Sequence, residues 1–297
     1  FNSWGPYIGQ SNLNSLKFVF SRAYRYNQPM DTWDVSNISV FTDMFATAST
    51  FNQNLATWDM RAARLTDGMF KSTQFGASAI PNLSTWSDAV TGITSAQSMF
   101  GNTSVGNTTG LANWDLASVR SIQQMFVDSN MSEDINDWGP RLLSCTNITG
   151  LFYQNGVKQP GFGYNSPLDK WAPVIGRQTT ITGMFFKLGG FDQDLSDWDF
   201  SNLQRPTSGP GSTGPYLPGD DLTKSKGSAR RLATGSISTV NYDKLLIALK
   251  AQDDAVGLND FVLFDTGSRY TTGGAAEAAR THFIDNKGWR FVDGPAP

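Results

Sequence analysis

The sequence predicts an α/β tandem-repeat solenoid of about eight coils, followed by a small α/β unit that closes its C-terminal end. Three periodic features carry that expectation. Eight of the nine tryptophans stand at positions 4, 33, 58, 86, 114, 138, 171 and 198, and from Trp33 onward the gaps are 25, 28, 28, 24, 33 and 27 residues. Each tryptophan from Trp33 to Trp171 is followed 12 or 14 residues later by a phenylalanine, namely Phe45, Phe70, Phe100, Phe126, Phe152 or Phe185. The residue before that phenylalanine is Met44, Met69, Met99, Met125, Leu151 or Met184.

Upstream of the tryptophan lies a second block, clearest at 26–33 (YNQPMDTW), 51–58 (FNQNLATW) and 191–198 (FDQDLSDW). After the tryptophan, Trp33 and Val35 alternate by two, as a short half-buried strand requires. Ile38, Phe41, Met44 and Phe45 then fall on one face of a short helix or of two tight turns. One coil is thus expected to be a short strand, a turn, a short helix and a loop back. A single coil cannot bury its tryptophan, leucine and Met-Phe pair, so neighbours must stack to close the core. Strands bonded between coils would lie about 4.8 Å apart, and the wider helical side would curve the stack. The expected core is therefore Trp33, Trp58, Trp86, Trp114, Trp138, Trp171 and Trp198 with the six phenylalanines. The aspartate after tryptophan (Asp34, Asp59, Asp115, Asp199) reads as a turn former. A ladder of calcium ligands is the sharper alternative, without a Gly-Asp nonapeptide pattern to support it.

Composition bounds the function. The 297 residues carry a net charge of −3 with a pI near 5.1, which offers no basic face for nucleic acid. No run of apolar residues is long enough to span a bilayer, so no membrane insertion is expected. Only Glu133 and Glu277 are glutamates while the other acids are aspartates, a bias toward turns over long helices. The single cysteine, Cys145, and the single histidine, His282, leave no disulfide framework, no thiol–histidine pair and no histidine metal cage. No cofactor, metal or catalytic residue is expected.

The strings FNQNLATWDM, WDVSNISVFTDMF and FDQDLSDWDFSN resemble the BspA-like leucine-rich repeat proteins, in their mycoplasma-lipoprotein type of repeat. The resemblance covers roughly 200 residues, and Ser87, Gly139 and Ala172 depart from it where aspartate should follow tryptophan. It implies a curved, leucine-rich-repeat-like solenoid on a cell or particle surface and a role in adhesion, with no shared catalytic site.

The repeat is expected to span 1–203. Residues 204–235 read as a linker or loop, with Pro206, Pro210, Pro215, Pro218 and a basic cluster at Lys224, Lys226, Arg230 and Arg231. Residues 236–297 read as a capping unit, with a helix capped by Thr239, a strand at 261–265, a helix from Gly274 to Gly288 and a last strand, WRFVD. Its pattern around Tyr242–Ile247 and Arg280–Trp289 is similar to tails that follow such repeats in bacterial surface proteins. At the other end Trp4 already occupies a repeat phase, so an upstream module or further chains are expected to cover the first coil.

The leading functional expectation is a surface-exposed recognition or adhesion module, bacterial or viral, that binds a cell-surface glycan or protein receptor. A structural virion or surface-assembly subunit without a receptor is the alternative. A polysaccharide-degrading solenoid would need a carboxylate pair, and Asp192, Asp194, Asp197 and Asp199 form the densest set. Six Asn-x-Ser/Thr sequons, at Asn37, Asn82, Asn102, Asn107, Asn130 and Asn147, partly follow from the repeat phase.

Overall fold

The computed structural model describes residues 8, 12–73, 83–86, 90–103, 110–153, 163–178, 181, 183–185, 188, 190–202, 237–258 and 263–296. The linker expected at 204–235 and Trp4 lie outside them. Successive copies of the repeat lie directly on one another. Parallel single-residue bridges join Ser15 to Val40, Val40 to Leu65, Leu65 to Ser95, Ser95 to Ser121 and Ser121 to Asn147, so the sequence phase is also the spatial register.

Within a copy the expected strand and helix are both replaced by turns. The segment 40–48 is a run of turns with single bridge residues, and the same holds for 65–73, 95–103 and 121–129. The reason lies in the hydrogen bonds. Phe41, Asp43, Phe45 and Thr47 donate their N–H groups to the carbonyls of Leu65, Asp67, Met69 and Lys71 in the next copy. The amides between them turn inward: Met44 donates to Phe41, Ala46 to Asp43 and Ala48 to Phe45, each three residues back. Neither a helix nor a strand divides its bonds in that way. The alternation needs left-handed residues, found at Asp43 and Thr47 (φ 52° and 63°), Ser98 and Asn102 (52° and 54°) and Gln124 and Asp128 (54° and 53°). A positive φ favours Asp, Asn and Gly over β-branched residues, and the third copy has Gly68 at φ 60° in phase with Asp43.

These turns point the large side chains inward. Phe20, Phe45, Phe70, Phe100, Phe126, Phe152 and Phe185 form a continuous stacked row, with centroids 5.6 to 6.2 Å apart and ring planes within 13° of parallel. The aromatic residue opening the upstream block stacks on the same row from the side: Tyr26 on Phe20 at 4.1 Å, Phe51 on Phe45 at 4.0 Å, Tyr164 on Phe152 at 4.4 Å and Phe191 on Phe185 at 4.6 Å. Stacked rings of this kind add to the stabilisation from burial alone.

The tryptophans tie the copies together. Trp58 Nε1 donates to the Met30 carbonyl, Trp86 to Leu55, Trp114 to Leu83, Trp138 to Leu111, Trp171 to Ile135 and Trp198 to Leu168. In every case the acceptor lies three residues before the tryptophan of the preceding copy. All seven indoles from Trp33 to Trp198 are at most 3% exposed. Because the indole would lose its water on burial, the carbonyl is the only way to avoid an orphaned donor. One bond thus fixes both the inward tryptophan and the register between copies.

The C-terminal unit is a β–α–β arrangement with a preceding helix. Short helices α1 (Trp138–Arg141) and α2 (Ala172–Ile175) lie within the repeat, and α3 (Thr239–Val256) opens the unit. Ser238, one residue before the expected cap, accepts the Asn241 N–H at the start of α3, and Gly257 ends the helix at φ 70°. Strand β1 (Leu263–Tyr270) pairs in parallel with β2 (Arg290–Pro295), Leu263 opposite Arg290 and Phe264 opposite Phe291. Helix α4 (Ala275–Lys287) connects them and stops at Gly288, φ 64°. Buried Asp293 locks the elements together: Arg280 grips it with two nitrogens at 2.7 and 2.9 Å, and Tyr242 Oη donates to it at 2.6 Å.

Helix α3 lies against the last copy through one polar stripe. The Ser238 N–H and Asn241 Nδ2 bond to Asp192, Lys244 Nζ reaches Asp194 at 2.8 Å, and Gln252 both donates to the Trp198 carbonyl (2.6 Å) and accepts from the Phe200 N–H (2.9 Å).

Three outcomes follow from this packing. Trp114→Ala removes a fully buried indole and its bond to Leu83, and chemical denaturation should show a loss of about 3–5 kcal/mol. Gly139→Ala would put a β-carbon 2.1 Å from the Lys170 carbonyl of the next copy, where only backbone movement can relieve the clash. A loss of about 1–3 kcal/mol is expected, and an unchanged unfolding midpoint would contradict the close approach. Asp253 is the third. Burial works to raise its pKa, but bonds from His282, Lys287 and the Leu258 N–H outweigh it and hold the carboxyl below its usual range. A depressed folded pKa gives stability that is complete above the unfolded value, about 4, and lost as pH falls through the folded one. The stability gap between wild type and Asp253→Asn, measured by urea unfolding, should therefore be wide at neutral pH and narrow progressively as pH falls below the unfolded value.

Candidate functional site

Counting back from the Met-Phe pair, the residues five, four and two positions before methionine point away from the stacked rings. In the second to sixth copies these are Ser39, Arg64, Thr94, Arg120 and Thr146; Val40, Leu65, Ser95, Ser121 and Asn147; and Thr42, Asp67, Gln97, Gln123 and Thr149. From the fourth copy to the sixth every one of them is polar. Backbone bonds hold them at the spacing of neighbouring copies, so they form three parallel rows on one face.

The rows are also bonded side chain to side chain. Asp67 Oδ1 accepts the Ser95 hydroxyl at 2.6 Å and the Gln97 N–H at 2.7 Å, and Gln97 Nε2 reaches Ser95 Oγ at 3.3 Å. Further along, Asn147 Nδ2 donates to Gln123 Oε1 at 3.1 Å. The Ser39 and Thr94 hydroxyls donate to the carbonyls of Asn14 and Arg64 in the preceding copy. Amides and hydroxyls held like this keep fixed directions for their remaining donors and acceptors. Chemically the face suits contacts with hydroxyls, amides and carboxylates.

The residues singled out from the sequence have other roles. The seven tryptophans and six phenylalanines are buried, and none reaches this face. Aspartates after tryptophan cap their own turns: Asp34 accepts from the Ser36 N–H, Asp59 from Arg61, Asp115 from Ala117 and Asp199 from Ser201. Among the described residues no group of three or more His, Cys, Asp or Glu side chains is placed to hold a metal ion. Asp192 and Asp194 of the carboxylate set bind α3. Burial tends to raise both, but hydrogen bonds from Ser238 and Asn241 on one, and from Lys244 and Ser196 on the other, outweigh it and hold both carboxyls below their ordinary range. A general acid needs the opposite shift.

Cys145 is buried, and burial pushes its thiol up to about 11, far from a nucleophile's range. His282 sits between α3 and α4, its Nε2 2.6 Å from Asp253 Oδ2. Of the sequons, Asn37 is exposed, Asn102 and Asn147 use their amide nitrogens on Ser72 and Gln123, and Asn82 and Asn107 lie outside the described residues. The basic cluster at 224–231 also lies outside them. The polar rows carry no motif. Only their phase relative to methionine finds them, because the residue types vary from copy to copy.

Among the described residues no helix is long and apolar enough to cross a membrane. No curated protein and no solved structure matches the chain. One family model does, described as a Mycoplasma protein of unknown function, DUF285, and it matches twice, over residues 8–108 and 94–208. Those limits bracket the stacked copies and leave out the β–α–β unit, and on that coverage the chain belongs to this mycoplasma-type repeat family.

Proposed function

We propose that the chain is a surface-exposed recognition module of the BspA-like kind, a curved, leucine-rich-repeat-like solenoid that binds a cell-surface glycan or protein through its polar rows. One observation carries this reading: the outward side chains of the fourth to sixth copies are uniformly polar, and Thr94, Ser95, Gln97, Gln123 and Asn147 among them are held in place by bonds to their neighbours. Ordering side chains before a ligand arrives removes an entropy cost that binding would otherwise meet. A ligand rich in hydroxyls and amides finds donors and acceptors there at a regular interval, with the long cations Arg64 and Arg120 at the edge of the same face. The bonded carboxylates and the inert thiol support binding without covalent chemistry. The family match to mycoplasma-type repeats supports a place outside the cell.

A glycan array and a host-cell binding assay on the whole chain test the proposal, with Gln97→Ala, Arg120→Ala and Gln123→Ala combined in one variant. Because these side chains lie on the surface, the variant should keep its thermal midpoint. It should lose at least roughly tenfold in binding, as expected when interface polar contacts worth about 1–2 kcal/mol are removed. Binding by wild type that survives the triple substitution intact would move the site elsewhere.

A further inference from the structure

The backbone bonds between copies have a direction, and it makes the two ends of the stack chemically unlike. The carbonyl of Val40 accepts from Leu16 of the copy before, while the adjoining N–H of Phe41 donates to Leu65 of the copy after. The same chain continues through Thr66 to Ser95, Ala96 to Ser121 and Ile122 to Asn147. Three further chains run in the same sense, beginning with Phe18 to Thr42, Phe20 to Met44 and Arg22 to Ala46. A single row runs the other way, from Val40 back to Asn14, Leu65 back to Ser39 and Asn147 back to Arg120. Four of the five rows therefore present carbonyls at the N-terminal end.

At that end the carbonyls belong to Ser15, Lys17, Val19 and Ser21, and among the described residues no donor reaches them. The same edge exposes Leu13, Phe18, Val19 and Tyr24, at 40 to 55%.

We propose that this end is a docking surface for one further coil of the same repeat type. The polarity of the edge selects that occupant. Two such edges cannot pair face to face, because carbonyl would meet carbonyl in four rows of the five. The complementary edge is the C-terminal side of a like copy, which offers N–H groups at every second residue. A second molecule of this chain has that side occupied by α3, bonded to Asp192, Asp194, Trp198 and Phe200. A coil ending in the FNQN phase supplies the donors and covers the apolar residues.

The test is to place a second copy of segment 29–54 directly before Phe1 in the full chain, which puts its tryptophan 25 residues ahead of Trp4, the gap between Trp33 and Trp58. A control carries the same segment cut and rejoined so that its tryptophan falls half a repeat out of phase. With the in-phase coil the melting temperature should rise by several degrees. Hydrogen exchange at the amides of Leu16, Phe18, Phe20 and Arg22 should slow by roughly tenfold or more. The out-of-phase control should change neither. Equal behaviour of the two extended chains, or unmoved amide exchange in the in-phase one, overturns the proposal.

Discussion

The structure depends on peptide groups that run head to tail through the stack. In an ordinary strand successive N–H groups point to alternate sides, and each neighbour receives donors and acceptors equally. Here residues 41, 43, 45 and 47 all donate forward, and the amides between them are spent on local turns. That arrangement needs a backbone unlike either regular element, so left-handed residues recur four positions apart. It also leaves few ways to place a side chain. Phe41, Met44, Phe45 and Ala48 must go inward, while the residues ahead of them must go out. The core and the candidate recognition face are two sides of one hydrogen-bonding decision.

The turns alone would not fix the register, since any copy offers carbonyls at the same interval. A slip along the ladder would take Phe45 out of line with Phe70 and break the row of stacked rings. The tryptophan prevents it. From Trp58 to Trp198 the buried indole meets its acceptor carbonyl at one phase only. The stacked phenylalanines then fix the same register a second time from the other side of the core. This redundancy lets the gap between tryptophans vary from 24 to 33 residues without disturbing the ladder. The extra residues fall outside the bonded turns, after Phe70, Phe100 and Phe152 and as two more between Trp86, Trp138 or Trp171 and the phenylalanine that follows it.

The inward residues were legible in the sequence because large side chains recur at fixed distances and only burial makes that periodic. The phase of the turns was not. Ile38, Phe41, Met44 and Phe45 have the spacing of a helix face, and that spacing is equally served by tight turns which return the chain every three or four residues. The signal that separates them is the recurrence of Asp43, Gly68, Ser98 and Gln124 just before methionine, where no large β-branched residue stands. The polar rows were hidden for a different cause. A surface under no packing constraint changes residue type freely, so Val40, Leu65, Ser95, Ser121 and Asn147 share a place without sharing chemistry. In the C-terminal unit the glycines marked the helix ends, but the joint to the last copy was invisible, because Gln252 and Asn241 are ordinary helix-surface residues until the neighbouring backbone is in place.

That joint shows what a directional stack requires at its ends. A repeat protein gains most of its stability from contacts between neighbours, so a terminal copy has only half of them. In a stack whose rows run mainly one way, the two ends also need different partners. At the C-terminal end the fit comes from a helix bearing side chains that both donate and accept: Gln252 bonds one carbonyl and one N–H at once, and Asn241 and Lys244 bind aspartates of the copy itself. Such a helix would not serve at the other end. Carbonyls two residues apart call for a row of donors at the same interval, and a helix keeps its backbone N–H groups for itself. Only an extended or turn-built segment has them to give. The unlike ends follow from the direction of the peptide groups, and no choice of surface side chains would remove that difference.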